Sequence, residues 1–209
     1  PLAAGLAAEG CPFLGILYTG LMINESGPQV AEFNVRFGDP EAQVVLPLLE
    51  NDLLEILLAA TENGLDRVEL KWKPEASVCV IAAAPGYPGP PTKGLPINLP
   101  KALEPKTQIF HAGTALQNET LVTSGGRIFG ITAQGAGLQQ AMERAYALMD
   151  QVHFRGDQFE RRDAAVRKHP PDRRHVLAFA AVPHRNVPAL LDCKACRVQR
   201  PVLLLLELH

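Results

Sequence analysis

The run Ala31-Glu32-Phe33-Asn34-Val35-Arg36-Phe37-Gly38-Asp39-Pro40-Glu41 constrains the fold most. Ala31, Phe33, Val35 and Phe37 alternate with Glu32, Asn34 and Arg36. A period of two is the signature of a strand with one buried and one polar face, which predicts a strand over residues 30–37. Gly38 breaks it, and Asp39 can cap a helix that opens at Pro40. Along the polar face lie a carboxylate, a carboxamide and a guanidinium, about 7 Å from one to the next. A carboxylate and an amide oxygen so placed can converge on a hard cation: Mg²⁺ takes oxygens at about 2.0–2.1 Å and keeps positions for phosphate and water. An arginine beside them suits a phosphate or carboxylate fork. The same pattern also suits a plain solvated sheet face, and the spacing alone does not separate the two.

Elements of both kinds are expected around this run. Residues 2–10 suit a short helix closed by Gly10, and residues 15–23 a strand that pairs with the 30–37 strand through the turn cluster at 24–28. A helix over 40–49 should end or kink at Pro47. Asp52 and Glu55 form a capping-box pair before Leu53, Leu54, Ile56, Leu57 and Leu58, which predicts a deeply packed helix ending near Gly64. Strands are then expected at 68–72, 77–84, 108–111, 120–123, 127–133 and 152–154, with a long Pro/Gly loop at 85–105. A hairpin turn is expected at Ser124-Gly125-Gly126, and a helix at 138–149 with Leu138, Met142, Ala145 and Met149 on one stripe. The fold class expected is α+β, with a boundary at 65/66.

Several classes of function are disfavoured by the bulk properties. The net charge of −2 gives no global pull toward nucleic acid or an anionic membrane. Without a run of about 18 apolar residues no spanning helix is expected. Cys11, Cys79, Cys193 and Cys196 are too few and scattered for a disulfide framework, so a cytoplasmic setting is the expectation. The first residue is proline, not methionine, which suggests a processed chain or a fragment.

Glu32-Phe33-Asn34 followed by Arg36-Phe37-Gly38-Asp39-Pro40-Glu41-Ala42-Gln43 resembles the signature of the phosphoribosylamine–glycine ligase family, also called glycinamide ribonucleotide synthetase. The resemblance extends through Tyr18-Thr19-Gly20-Leu21-Met22, Gly86-Tyr87-Pro88-Gly89, Lys93-Gly94, His111-Ala112-Gly113-Thr114, Ser124-Gly125-Gly126-Arg127 and Arg161-Arg162-Asp163, and so covers residues 1–163. It implies the C-terminal part of an ATP-grasp lobe over 1–65 and a small sheet-rich C-terminal domain over 66–163. The implied reaction uses ATP and Mg²⁺ or Mn²⁺ to activate glycine as an acyl phosphate, which 5-phosphoribosylamine then attacks to give glycinamide ribonucleotide, ADP and phosphate. By the match, Glu32 and Asn34 are the metal ligands and Arg36 sits at the transferred or acyl phosphate. Asp39 either orients substrate or only caps the helix. The family's N-terminal domains and most of its nucleotide-clamping segments have no counterpart here, so the chain alone is expected to be inactive. Rival readings are a fragment of another ATP-grasp carboxylate–amine ligase or carboxylase, and a non-catalytic remnant or binding module.

Weaker candidates are Lys93 near a phosphate, His111 as a structural or catalytic histidine, and Gly135-Ala136-Gly137 before a helix. Residues 164–209 depart from the family. They carry eight Lys/Arg against three Asp/Glu, a net +5 that leaves −7 on the rest, and are expected to be a poorly ordered basic tail. Within it, Cys193-Lys194-Ala195-Cys196 has half the spacing of a zinc site, with His184 and His209 as possible partners.

Overall fold

The computed structural model describes residues 2–24, 26–154 and 176–181, with residues 23–24 and 176–181 described by their backbone alone. Two compact units emerge, one from residues 1–42 and 49–72, the other from 43–48 and 73–209. The division therefore falls at 72/73 rather than at 65/66, and residues 43–48 join the second unit. The physical reason is local: Glu50 N donates to Lys71 O at 3.0 Å and Lys71 N to Asn51 Oδ1 at 2.6 Å, which holds 66–72 to the first unit.

The first unit holds helix α1 (Leu2–Ala8), strands β1 (Tyr18–Asn24) and β2 (Gly27–Asn34), helix α2 (Glu41–Val45, mostly beyond this unit) and helix α3 (Leu53–Thr61). β1 and β2 form an antiparallel hairpin, as the turn cluster implied. Two expectations fail here. The second strand ends at Asn34, and the face expected to be buried is open: Phe33 is 48% and Val35 71% exposed. A two-stranded ribbon has no layer of its own to cover either face. Likewise α3 buries no residue, and Leu54 and Leu58 are more than half exposed. Its cap matches expectation: Asp52 Oδ1 accepts from Leu54 N at 2.8 Å. The helix start after β2 also differs. α2 begins at Glu41, one residue later than expected, after the cis peptide Asp39–Pro40.

In the second unit a four-stranded antiparallel sheet runs β10–β3–β8–β5, from Val176–Ala181, Ala76–Ala83, Arg127–Gly135 and Thr107–His111. Helix α4 (Leu138–Met149) packs Ala141 and Ala145 against Ala76, Val78, Val80 and Ala133. A second cluster joins Ile97, Ile128, Phe129, Ile131, Leu148 and Val152. The opposite face is covered by 43–48, where Thr132 Oγ1 donates to Gln43 O at 3.1 Å and Gln134 Nε2 to Pro47 O at 3.4 Å. Covering on both faces explains why every residue of β3 is buried and why its sequence is a near-continuous apolar run.

The remaining strands are short. β4 (Ile97–Asn98) pairs with β9 (His153–Phe154), and β6 (Thr114–Gln117) with β7 (Thr120–Thr123). Ser124-Gly125-Gly126 is therefore no hairpin turn: β7 pairs with β6, whereas β8 enters the main sheet. Residues 68–72 form no strand beyond the single bridge Leu49–Trp72. β10 lies within the stretch expected to be poorly ordered and pairs with β3 along its length. The rest of that stretch, including Arg161-Arg162-Asp163, the Cys193–Cys196 pair, His184 and His209, lies outside the described residues.

Candidate functional site

The hairpin register brings four positions to one face. Tyr18 lies opposite Asn34 and Gly20 opposite Glu32, and directly opposed residues point to the same side. Asn34 Nδ2 donates to Glu32 Oε1 at 2.9 Å, so the carboxylate and the carboxamide meet. Gly20 leaves the room they use: a Cβ there would lie 3.1 Å from Glu32 Cγ. A β-bulge between Gly20 and Leu21 shifts the register here, and the pairing then runs on from Leu21–Val30 to Asn24–Gly27.

Past the strand end, Arg36 folds back and donates from Nη1 to Phe37 O at 2.9 Å. That uses one of five guanidinium donors. Asp39 is exposed on the same turn. Glu41, assigned no role by sequence reasoning, is 9% exposed, and its Oε1 accepts the Tyr18 hydroxyl at 3.0 Å. Burial, the Glu41 hydrogen bond, and the charges of Glu41 and Glu32 push the Tyr18 phenol up to about 12, with Arg36 pulling the other way. Glu32, Arg36 and Glu41 thus all lie within electrostatic reach of the Tyr18 phenol. A contact between residues 23 positions apart has no signature in strand periodicity, and that is why Tyr18 and Glu41 escape a reading by spacing.

Glu32 and Asn34 fit a hard cation in number and type. They offer two oxygens, which suits Mg²⁺ where phosphate and water supply the others. As the amide stands, its nitrogen faces Glu32. Rotation about the last side-chain bond exchanges nitrogen for oxygen, and a cation between the two oxygens offsets the repulsion that otherwise opposes this. No group of three or more His, Cys, Asp or Glu side chains that could hold a metal occurs among the described residues.

The weaker candidates stand in the second unit. His111 is exposed; its Nδ1 lies 3.1 Å from Thr114 Oγ1 and its ring meets Phe129 edge-on, contacts that suit a structural histidine. Lys93 is exposed in its loop. Ahead of α4, Ala136 N donates to Gln140 Oε1 at 2.8 Å, so that amide is already satisfied within the chain.

Comparison with known proteins shows the family. Residues 1–42, which hold every residue of the Tyr18–Glu41 cluster, match the family model for the phosphoribosylglycinamide synthetase ATP-grasp (A) domain, and residues 77–167 match the model for the C domain. The chain is a segment of the phosphoribosylglycinamide synthetase family. It is 46% identical over 164 residues to the phosphoribosylamine–glycine ligase of Agrobacterium fabrum, covering 78% of this chain and 38% of that protein. Against the ligase of Vibrio cholerae the identity is 47% over 169 residues, 80% of this chain and 39% of the relative. The crystal structure of the ligase from Thermotoga maritima superposes with a TM-score of 0.65 at 37% identity, covering 73% of this chain and 38% of that one. The chain thus spans less than two fifths of these synthetases. It has the mixed helices and antiparallel sheets of the T. maritima enzyme over the part they share.

Proposed function

We propose that this chain supplies the cation- and phosphate-facing strand, together with the C domain, of an ATP-dependent ligase that joins glycine to 5-phosphoribosylamine. In that reaction a glycine carboxylate oxygen takes the γ-phosphoryl group of ATP and ADP leaves. The amine of 5-phosphoribosylamine then attacks the glycyl carbonyl carbon, and phosphate departs as glycinamide ribonucleotide forms. Phosphoryl transfer of this kind depends on positioning and charge stabilisation more than on covalent help. Glu32 and Asn34 would hold Mg²⁺ or Mn²⁺, whose contribution is to neutralise charge on the phosphate oxygens. Arg36 presents the guanidinium donors left after its bond to Phe37 O, and these suit the transferred phosphate or the acyl phosphate. Asp39, exposed on the same turn, would help orient the substrate.

The observation that carries this reading is the meeting of Glu32 and Asn34 on one open face, with Arg36 on the turn that follows. Manganese titration of the 209-residue chain, followed by loss of the free-ion electron paramagnetic resonance signal, tests it. Glu32→Gln and Asn34→Ala should each weaken Mn²⁺ uptake by about tenfold or more, on the scale of losing one of few oxygen ligands. Uptake equal to the parent chain in both variants would remove the cation from this face.

A further inference from the structure

Glu41 is a nearly buried carboxylate, and two contacts fix its place. One oxygen accepts the Tyr18 hydroxyl at 3.0 Å. The rest of the head lies over Gly38, where a Cβ would come within 2.6 Å of Glu41 Cδ and 2.9 Å of Glu41 Cβ. Gly38 is therefore a seat for Glu41. Tyr18 stands opposite Asn34, so the contact ties the turn carrying Arg36 and Asp39 back to the first residue of the hairpin. Burying a carboxylate is costly, and an apolar pair would close a turn at less expense. A directional hydrogen bond gives instead a defined geometry, which a face that must present Glu32, Asn34 and Arg36 together requires.

We propose that Glu41 and Tyr18 are positioning residues, which fasten the 35–41 turn to the start of β1 and so hold Arg36 and the Glu32–Asn34 pair in one frame. The consequence for the cation rests on the function proposed above; the fastening itself does not. Glu41 acts here through the phenol, not as a ligand, and this separates it from Glu32.

The test uses Tyr18→Phe, Glu41→Ala and Glu41→Gln in the full 209-residue chain, with two readouts. One is Mn²⁺ uptake by electron paramagnetic resonance. The other is hydrogen exchange at the Ala42 amide, which donates to Gly38 O at 3.0 Å and reports closure of the turn without any metal. Tyr18→Phe and Glu41→Ala should weaken Mn²⁺ uptake and speed Ala42 exchange, each by about tenfold, as for loss of a group that orients a ligand. Glu41→Gln should stay within about twofold of the parent chain, because its amide oxygen still accepts the phenol. Exchange in β3 and β8 should be unchanged in all three, which shows that the second unit remains folded. If Glu41→Ala fails to fold, Tyr18→Phe and Glu41→Gln carry the test. Parent behaviour of Tyr18→Phe in both readouts overturns the proposal. So does a Glu41→Gln that loses Mn²⁺ while Tyr18→Phe keeps it, since that makes Glu41 a ligand. A parent chain that takes up no Mn²⁺ but shows the expected exchange pattern sinks the cation reading and supports the fastening.

Discussion

At the scale of single residues, the site is defined by side chains that are small or unusually placed. Gly20 faces Glu32 across the hairpin, and a Cβ there would lie 3.1 Å from Glu32 Cγ, a distance at which one of the two must give. Gly20→Ala should therefore displace Glu32 and weaken Mn²⁺ uptake several-fold, while stability in urea changes by no more than about 1 kcal/mol, because alanine also restricts the unfolded chain. Tyr18 gives a pH signature. Its folded-state value, raised to about 12 from 10.0, favours the neutral phenol in the folded state. The stability this contributes is fully present below pH 10 and is lost as pH rises through about 12. Urea unfolding should show stability falling across that window, and Tyr18→Phe should flatten that part of the profile. In absorbance titration at the phenolate band, Tyr18→Phe should delete the step near pH 12 from the three tyrosines.

At the scale of elements, the two units differ in what holds them. β3 and β8 are sealed on both faces, and Ile131 is fully buried between α4 and the sheet. Ile131→Ala should cost about 2–5 kcal/mol in urea unfolding, the range for emptying a packed core site. α3 is apolar yet uncovered, with Leu58 52% exposed. Leu58→Ser should change stability by less than about 0.5 kcal/mol, as surface substitutions do, although the sequence alone marks it as core. The hairpin follows the same logic. Its alternation is real, but a buried face needs a second layer, and none of the first unit's described residues builds one over Phe33 or Val35.

At the scale of the whole molecule, the chain covers 38% of the A. fabrum ligase and matches the C-domain model over residues 77–167 and the ATP-grasp (A) model over residues 1–42. With ATP, glycine and 5-phosphoribosylamine supplied together, the chain alone should release no ADP above background in a coupled assay. Sustained turnover would show that the nucleotide is held by residues within these 209. The sequence by itself determined the family, through the run from Glu32 to Glu41, and most elements of the second unit, because β3, β8 and α4 have periods that burial on both sides or one stripe imposes. It also marked Glu32 and Asn34 as neighbours, since two residues on one strand face meet whatever surrounds them. Only the tertiary structure decided which apolar stretches are covered, where the chain divides, and that Ser124-Gly125-Gly126 joins two different sheets. Only it brought Glu41 to Tyr18. Period and spacing are local properties of a chain, whereas burial and long-range contact depend on which other segments arrive, and no single strand or helix carries that information.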